Sequence, residues 1–340
     1  MAMDQVDLFK RASMSGAAWL VAHQRDDGSL PSVTQVIEAQ YKGLWALHVS
    51  GHTDAASALA DYVASVTIAD GDIPEPREEP YFLDVHYLYA HGYLAIGAHL
   101  LGRFDLATRL MSFIRSRQDA TLGGFSSHGP KRGGDGRCDS VSTGLCGLVS
   151  LYHGQPELAR AAAGFLGTLW RGQPDRSTVF HATMTPDGHI GAPDGLAVRV
   201  REPDQDWYAL GMPALFLSAY HAYSGDPDAL ALAVEILDFL DGSCHPDAFV
   251  DPSSGKAAVA ASELYRQTGR PRYREIATGI AELLVSRQTS SGYWSNELGP
   301  GLTELPWSDV DMTAEYVLWL DLVQRNVSSG DRAAASARLP

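Results

Sequence analysis

The segment WSDVDMTAEY, residues 307–316, places Asp309, Asp311, Thr313 and Glu315 beside Trp307 and Tyr316 where a helix begins. Acids at a helix N-terminus ordinarily serve as caps and gain about 0.3–1 kcal/mol from the free amides and the macrodipole. Asp309 stands closer to the helix start and suits that role. Asp311 lies deeper, where fewer amides are open, so its charge points to chemistry. Burial in a dry cavity raises a carboxyl pKa by about three to five units and makes it a proton donor, whereas the helix terminus lowers it by about one. In a wet mouth the same carboxylates stay ionised and act as bases or stabilise a cation, with Lys256 as their acid or anion-binding partner.

Further charged residues recur where buried helices should begin: Glu38, Asp84, Asp139, Asp206 and Lys256, with Tyr41, His86, Tyr87, Trp207 and Tyr208 nearby. Converging polar groups with aromatic neighbours describe a small-molecule site. Lys131, Arg132 and Arg137 form one short basic loop suited to a diphosphate or carboxylate. The three cysteines, Cys138, Cys146 and Cys244, have no C-x-x-C spacing, and Cys244 beside His245 lacks further ligands at metal-site spacing. Neither a metal nor an organic cofactor is expected.

The elements that must position these groups are helices. A turn recurs five times, as SGHTDAA, LGRFDLA, HGQPELA, SGDPDAL and TGRPRYR, each with a glycine ending one helix and Asp, Pro or Glu opening the next. Segments before the glycine are apolar on nearly every side, and those after it are amphipathic. The spacing predicts outer helices near 7–24, 53–68, 103–118, 156–171, 227–241 and 271–288, alternating with inner helices near 34–50, 84–101, 140–153, 206–224, 256–268 and 309–326. Six of each, with strands only short and in loops, predict an all-α, single (α/α)6 toroid over residues 1–326, followed by a disordered tail, 327–340. Outer-to-inner loops are the long ones, at 119–138, 172–205 and 289–308, so the end carrying the inner-helix N-termini is the expected mouth.

Three outer helices end in a second repeat: WLVAHQRDDGSL, FIRSRQDATLGGF and LLVSRQTSSGYW. Here the chain resembles the terpenoid cyclase and protein prenyltransferase superfamily, whose Q-x-x-x-G-x-W repeats decorate α/α toroids. Gln288, Gly292 and Trp294 match best, and Leu30 replaces tryptophan in the first repeat. The resemblance implies a structural role, the glutamine satisfying helix-end amides over a packed aromatic. DVDMTA likewise resembles the D-x-D-D-T-A segment of class II terpene cyclases. It implies that Asp311 is the proton donor and Asp309 the first carboxylate, with Met312 where the pattern has another aspartate and with one helical domain where those enzymes use two.

A net charge of −15 repels phosphate backbones and anionic lipid surfaces, which argues against nucleic acid as a partner. No apolar run reaches the roughly 18 residues of a membrane span, and a cytoplasmic location is expected. The expectation is therefore a terpenoid-cyclase-like cyclase or isomerase, using acid–base chemistry on a small functionalised metabolite. Asp311, Asp309, Lys256, Asp206, Asp139 and Asp84 would do the chemistry. Glu38, Tyr41, His86, Tyr87, Trp207, Tyr208, Trp307, Thr313, Glu315, Tyr316 and Arg137 would line the substrate. The alternatives are a carbohydrate-active (α/α)6 enzyme, of unsaturated glucuronyl hydrolase or sugar epimerase type, and a non-catalytic toroid whose open rim binds a protein partner.

Overall fold

The computed structural model describes residues 5–31, 37–73, 86–129, 136–191, 196–250, 252–295 and 307–336. Asp84, Lys131, Arg132 and the side chain of Trp307 lie outside the described residues. Twelve α-helices occur among the described residues: α1 (Gln5–His23), α2 (Gly43–Val49), α3 (Thr53–Val66), α4 (Leu88–Leu100), α5 (Phe104–Ser116), α6 (Ser140–Tyr152), α7 (Pro156–Arg171), α8 (Tyr208–Ser224), α9 (Pro227–Gly242), α10 (Gly255–Thr268), α11 (Pro271–Ser286) and α12 (Trp307–Ser336). Each lies where the hydrophobic spacing predicts one. The strands are short antiparallel pairs: β1 (Cys138–Asp139) with β3 (Thr183–Met184), and β2 (Val179–His181) with β4 (Ala197–Arg199).

The two helix types differ in burial as their sequences require. In α6 every residue from Ser140 to Ser150 is buried, whereas α5 buries the stripe Leu106, Ala107, Leu110, Met111, Phe113 and Ile114 and exposes Asp105 and Arg115. The glycines of the five recurring turns, at 51, 102, 154, 225 and 269, all take positive φ, between 63° and 85°. They end helices in the left-handed conformation that a side chain resists.

The second repeat has a different function. Gln24 donates to the carbonyls of Gly28 and Ala55, at 2.8 and 2.9 Å. Gln118 does the same to Gly123 and Leu158, and Gln288 to Gly292 and Ala12. Each glutamine therefore ties its own turn to the next amphipathic helix through carbonyl oxygens, which corrects the expectation that it satisfies amides. The glycines of these turns approach the neighbouring helix so closely that a Cβ on Gly28 would fall 2.2 Å from the Ala58 carbonyl oxygen. The bulky residue two or so positions on is held as regularly. The amides of Leu30, Phe125 and Trp294 donate to Gln40, Thr143 and Thr313 respectively, each at or just before a buried helix.

The chain divides into two compact units, one of residues 1–81, 90–116 and 284–324, the other of residues 82–89, 117–283 and 325–340. The last helix corrects the expected tail, because α12 continues past 326 to Ser336. Asp331 accepts from Tyr265 Oη at 2.8 Å and from Arg274 Nε at 3.0 Å, and Gly330 leaves room for the Tyr265 ring. A small residue here admits a large neighbour.

Candidate active site

In the first unit the chemistry gathers on α12. Residues four apart on a helix share a face, so Asp311, Glu315 and Trp319 align, and Lys42, immediately before α2, meets them. Its Nζ lies 2.7 Å from Asp311 Oδ2 and also donates to Glu315 Oε2. Trp319 Nε1 donates to Glu315 Oε1 at 2.8 Å. Tyr41 and Tyr93 wall the ammonium, with ring centroids 4.9 and 6.0 Å from Nζ. Tyr93 in turn meets Tyr41, Trp45 and Trp319. Gly97 of α4 allows this approach, since a Cβ there would sit 2.8 Å from the Trp45 amide nitrogen.

The electrostatics follow from burial. The Lys42 side chain is 4 % exposed, and the carboxylates keep 12 % and 10 % of their surface open. Removing an ammonium from water costs several kcal/mol unless partners offset it. Burial alone would lower the Lys42 pKa, but Asp311 and Glu315 outweigh it and the value rises. Burial pushes Asp311 up to about 6, against the pull of Lys42 and with the push of the Glu315 charge. Oδ1 of Asp311 accepts no hydrogen bond among the described residues. A carboxyl pushed toward neutrality by burial, with one oxygen fixed by Lys42 and the other buried beside Tyr41, is fitted to take and return a proton.

The second unit holds another polar group. Ser140 Oγ donates to the Ala209 carbonyl at 2.8 Å, and Gly211 packs on Lys256, so the beginnings of α6, α8 and α10 lie side by side. Asp139 caps α6, its Oδ1 accepting from the amides of Val141 and Ser142 at 2.8 and 2.7 Å. His86 Nδ1 lies 3.3 Å from the same oxygen. Burial would raise the Asp139 pKa, but His86 and Ser142 hold it below the usual carboxylate value. Tyr208 meets His86 edge-on at 6.0 Å, and the Lys256 Nζ lies 5.8 and 5.9 Å from the Tyr208 and Tyr89 centroids. The thiols are inert by comparison, burial pushing Cys138 to about 12 and Cys146 well above its usual value.

The structure therefore joins Asp311 and Glu315 with Tyr41 in one unit, and His86, Asp139, Tyr208 and Lys256 in the other. Lys256, expected as the partner of Asp311, lies in the second unit, and the cation that pairs with Asp311 in the first is Lys42. Acids at helix starts carry no local mark of Lys42 as a partner. Its signal was a lone cation in the apolar stretch QYKGLWAL. Thr313 and Tyr316 turn from Asp311 toward Trp294: Thr313 Oγ1 accepts its amide at 3.1 Å, and Tyr316 meets its ring edge-on at 5.6 Å. Asp309, 2 % exposed, lies about 200° round the helix from Asp311. Asp206 is exposed, while its neighbour Trp207 is buried. Glu38, Tyr87 and Arg137 are buried as well; Tyr87 covers Gly129, and the Arg137 carbonyl accepts from the Ser127 amide. Among the described residues no three His, Cys, Asp or Glu side chains are grouped to hold a metal, and no helix is long and apolar enough to cross a membrane.

No protein-family model matches the chain, and no curated protein matches it. Solved structures do. A D-mannose isomerase, 12 % identical, superposes over 94 % of this chain and 99 % of its own with a TM-score of 0.68. An unsaturated glucuronyl hydrolase specific for heparin, 11 % identical, covers 96 % and 98 % with a TM-score of 0.63. A type II terpene cyclase from Scytonema, solved with geranylgeranyl dihydroxybenzoate, is 11 % identical over 95 % and 99 % with a TM-score of 0.59. At such identities the likeness is one of fold, and the chain has the all-α (α/α)6 toroid fold of these enzymes.

Proposed function

We propose that the chain is a cofactor-independent acid–base enzyme of the isomerase or cyclase type, acting on a small functionalised metabolite, with Asp311 as the group that exchanges the proton. The observation that carries this reading is the ammonium of Lys42 held between Asp311 and Glu315 beneath two tyrosines, where burial pushes Asp311 up to about 6. Lys42 fixes the carboxylate and limits its basicity, and Glu315 keeps Lys42 in place. Trp319 holds Glu315 from the other side. Three formal charges in one cluster suit a substrate with polar functions better than a bare polyprene, for which nothing would offset their desolvation.

The experiment is a solvent-exchange assay. Purified protein, without added cofactor, is incubated in deuterated water with small hydroxylated, keto and alkenyl metabolites, and products are followed by mass spectrometry. The expected result is an isomer or ring-closed product carrying solvent deuterium at carbon, formed by the wild type and lost in Asp311→Asn. A product formed without deuterium, or formed equally by Asp311→Asn, contradicts the assignment.

A further inference from the structure

Among the buried polar atoms of the second unit that have no hydrogen-bond partner among the described residues are Oδ2 of Asp139, Oγ of Ser142 and Nε1 of Trp207. Asp139 and Trp207 are 0 % and 1 % exposed. An unpaired buried polar group destabilises a fold, so such groups at two adjoining helix beginnings call for a reason. They stand at adjoining helix beginnings, Asp139 capping α6 and Trp207 immediately preceding α8, which the Ser140 to Ala209 hydrogen bond pins together.

Their chemistry is complementary. An ionised carboxylate only accepts, and an indole N–H only donates. Asp139 is held in the ionised form by its two amide donors and by His86. Oδ1 is occupied by those donors, so Oδ2, with the Ser142 hydroxyl as its neighbour, is the oxygen left to a ligand. We propose that this end of the second unit binds a hydroxylated ligand, a polyol or sugar, with a hydroxyl donating to Asp139 Oδ2 and a hydroxyl oxygen accepting from Trp207 Nε1. A hydroxyl both donates and accepts. A hydrocarbon would leave both atoms unsatisfied, an anion would meet the charge of Asp139, and an ammonium has nothing to accept from the indole. The surroundings fit the same class, because Tyr208 and Tyr89 offer ring surface and His86 and Lys256 flank both rings. The inference does not depend on the role of Asp311.

The test uses the full-length protein with its tryptophan indoles labelled with nitrogen-15, the Trp207 resonance being assigned by its loss in Trp207→Phe. The protein is titrated with myo-inositol and with D-glucose, and with sodium acetate as an anionic control. A saturable shift of the Trp207 resonance with at least one polyol and none with acetate is expected, weakened about tenfold or more in Asp139→Asn. Asparagine keeps the capping oxygen, and melting curves show whether the variant folds. If it does not, calorimetry of Trp207→Phe with the same polyol supplies the comparison, with the same loss expected. A Trp207 resonance unmoved by either polyol, meaning that only water fills the site, or a shift that survives Asp139→Asn unchanged, overturns the proposal. Asp311→Asn should bind the polyol as the wild type does, so failure here and failure of the acid–base reading are told apart.

Discussion

Asp311→Asn is expected to lower kcat by about 10²–10⁴ while moving the melting temperature little. The range is what positioned general acid–base catalysis contributes. Asparagine keeps the shape of the side chain and an oxygen for Lys42, but it cannot exchange a proton. Stability should hardly change because two effects oppose each other. Lys42 loses one carboxylate and keeps Glu315, whereas the helix is relieved of a carboxyl whose ionised form burial disfavours. The pH dependence supplies a second readout. Asp311 has its folded pKa raised above the ordinary 3.8 to about 6, so the folded state binds the extra proton between those values. Its contribution to stability falls as pH rises from about 4 to about 6 and is level above that. Asp311→Asn removes this component. Turnover measured with the substrate from the exchange assay, together with melting curves across this range, checks both.

Lys42→Met should have the largest effect on folding. Methionine fills much of the same space but leaves Asp311 and Glu315 as like charges one turn apart, nearly buried, with the ammonium gone. Breaking a buried ion pair from one side costs about 3–5 kcal/mol, and that cost should be seen in denaturant unfolding near pH 7.5. Near pH 5 much of it should be recovered. Without the lysine Asp311 loses the cation that holds its pKa down, and the folded state takes up a proton there that the unfolded state has released. Adding Glu315→Gln to Lys42→Met should restore part of the loss at neutral pH, because only one buried charge then remains. A variant as stable as the wild type at pH 7.5 would mean that water already solvates the pair.

Much of this was legible beforehand, for physical reasons that vary by residue. Helix positions follow from period and from turn glycines, and a left-handed C-cap leaves the same mark at residues 51, 102, 154, 225 and 269. The alternation of all-apolar with amphipathic segments likewise shows which helices are buried. Asp311 and Glu315 were legible as acids, and Asp139 as an acid at a helix start. What could not be read was pairing. Lys42 and Asp311 are 269 positions apart, and nothing local to either indicates the other. Lys256 carries the same charge and also begins a buried helix, so composition alone cannot choose between the two lysines. Thr313 shows the converse limit. Its place in a catalytic-looking motif hides a structural task that Thr143 performs for Phe125, visible only once both hydrogen bonds are seen. The end of α12 carries no local sign of its anchoring, because DRAAAS has no large side chain, while its anchor, Asp331, binds residues more than fifty positions earlier.

The central claim is that burial and Glu315 raise Asp311 while Lys42 restrains it, leaving a proton-transfer group poised near neutrality. The direct measurement is a carbon-13 NMR titration of the Asp311 carboxyl in the wild type, in Glu315→Gln and in Lys42→Met, the resonance being assigned by its absence in Asp311→Asn. The account predicts a wild-type midpoint of about 6, a lower midpoint in Glu315→Gln and a higher one in Lys42→Met. A wild-type midpoint at or below 3.8, the ordinary aspartate value, or one that does not move in either variant, would contradict it.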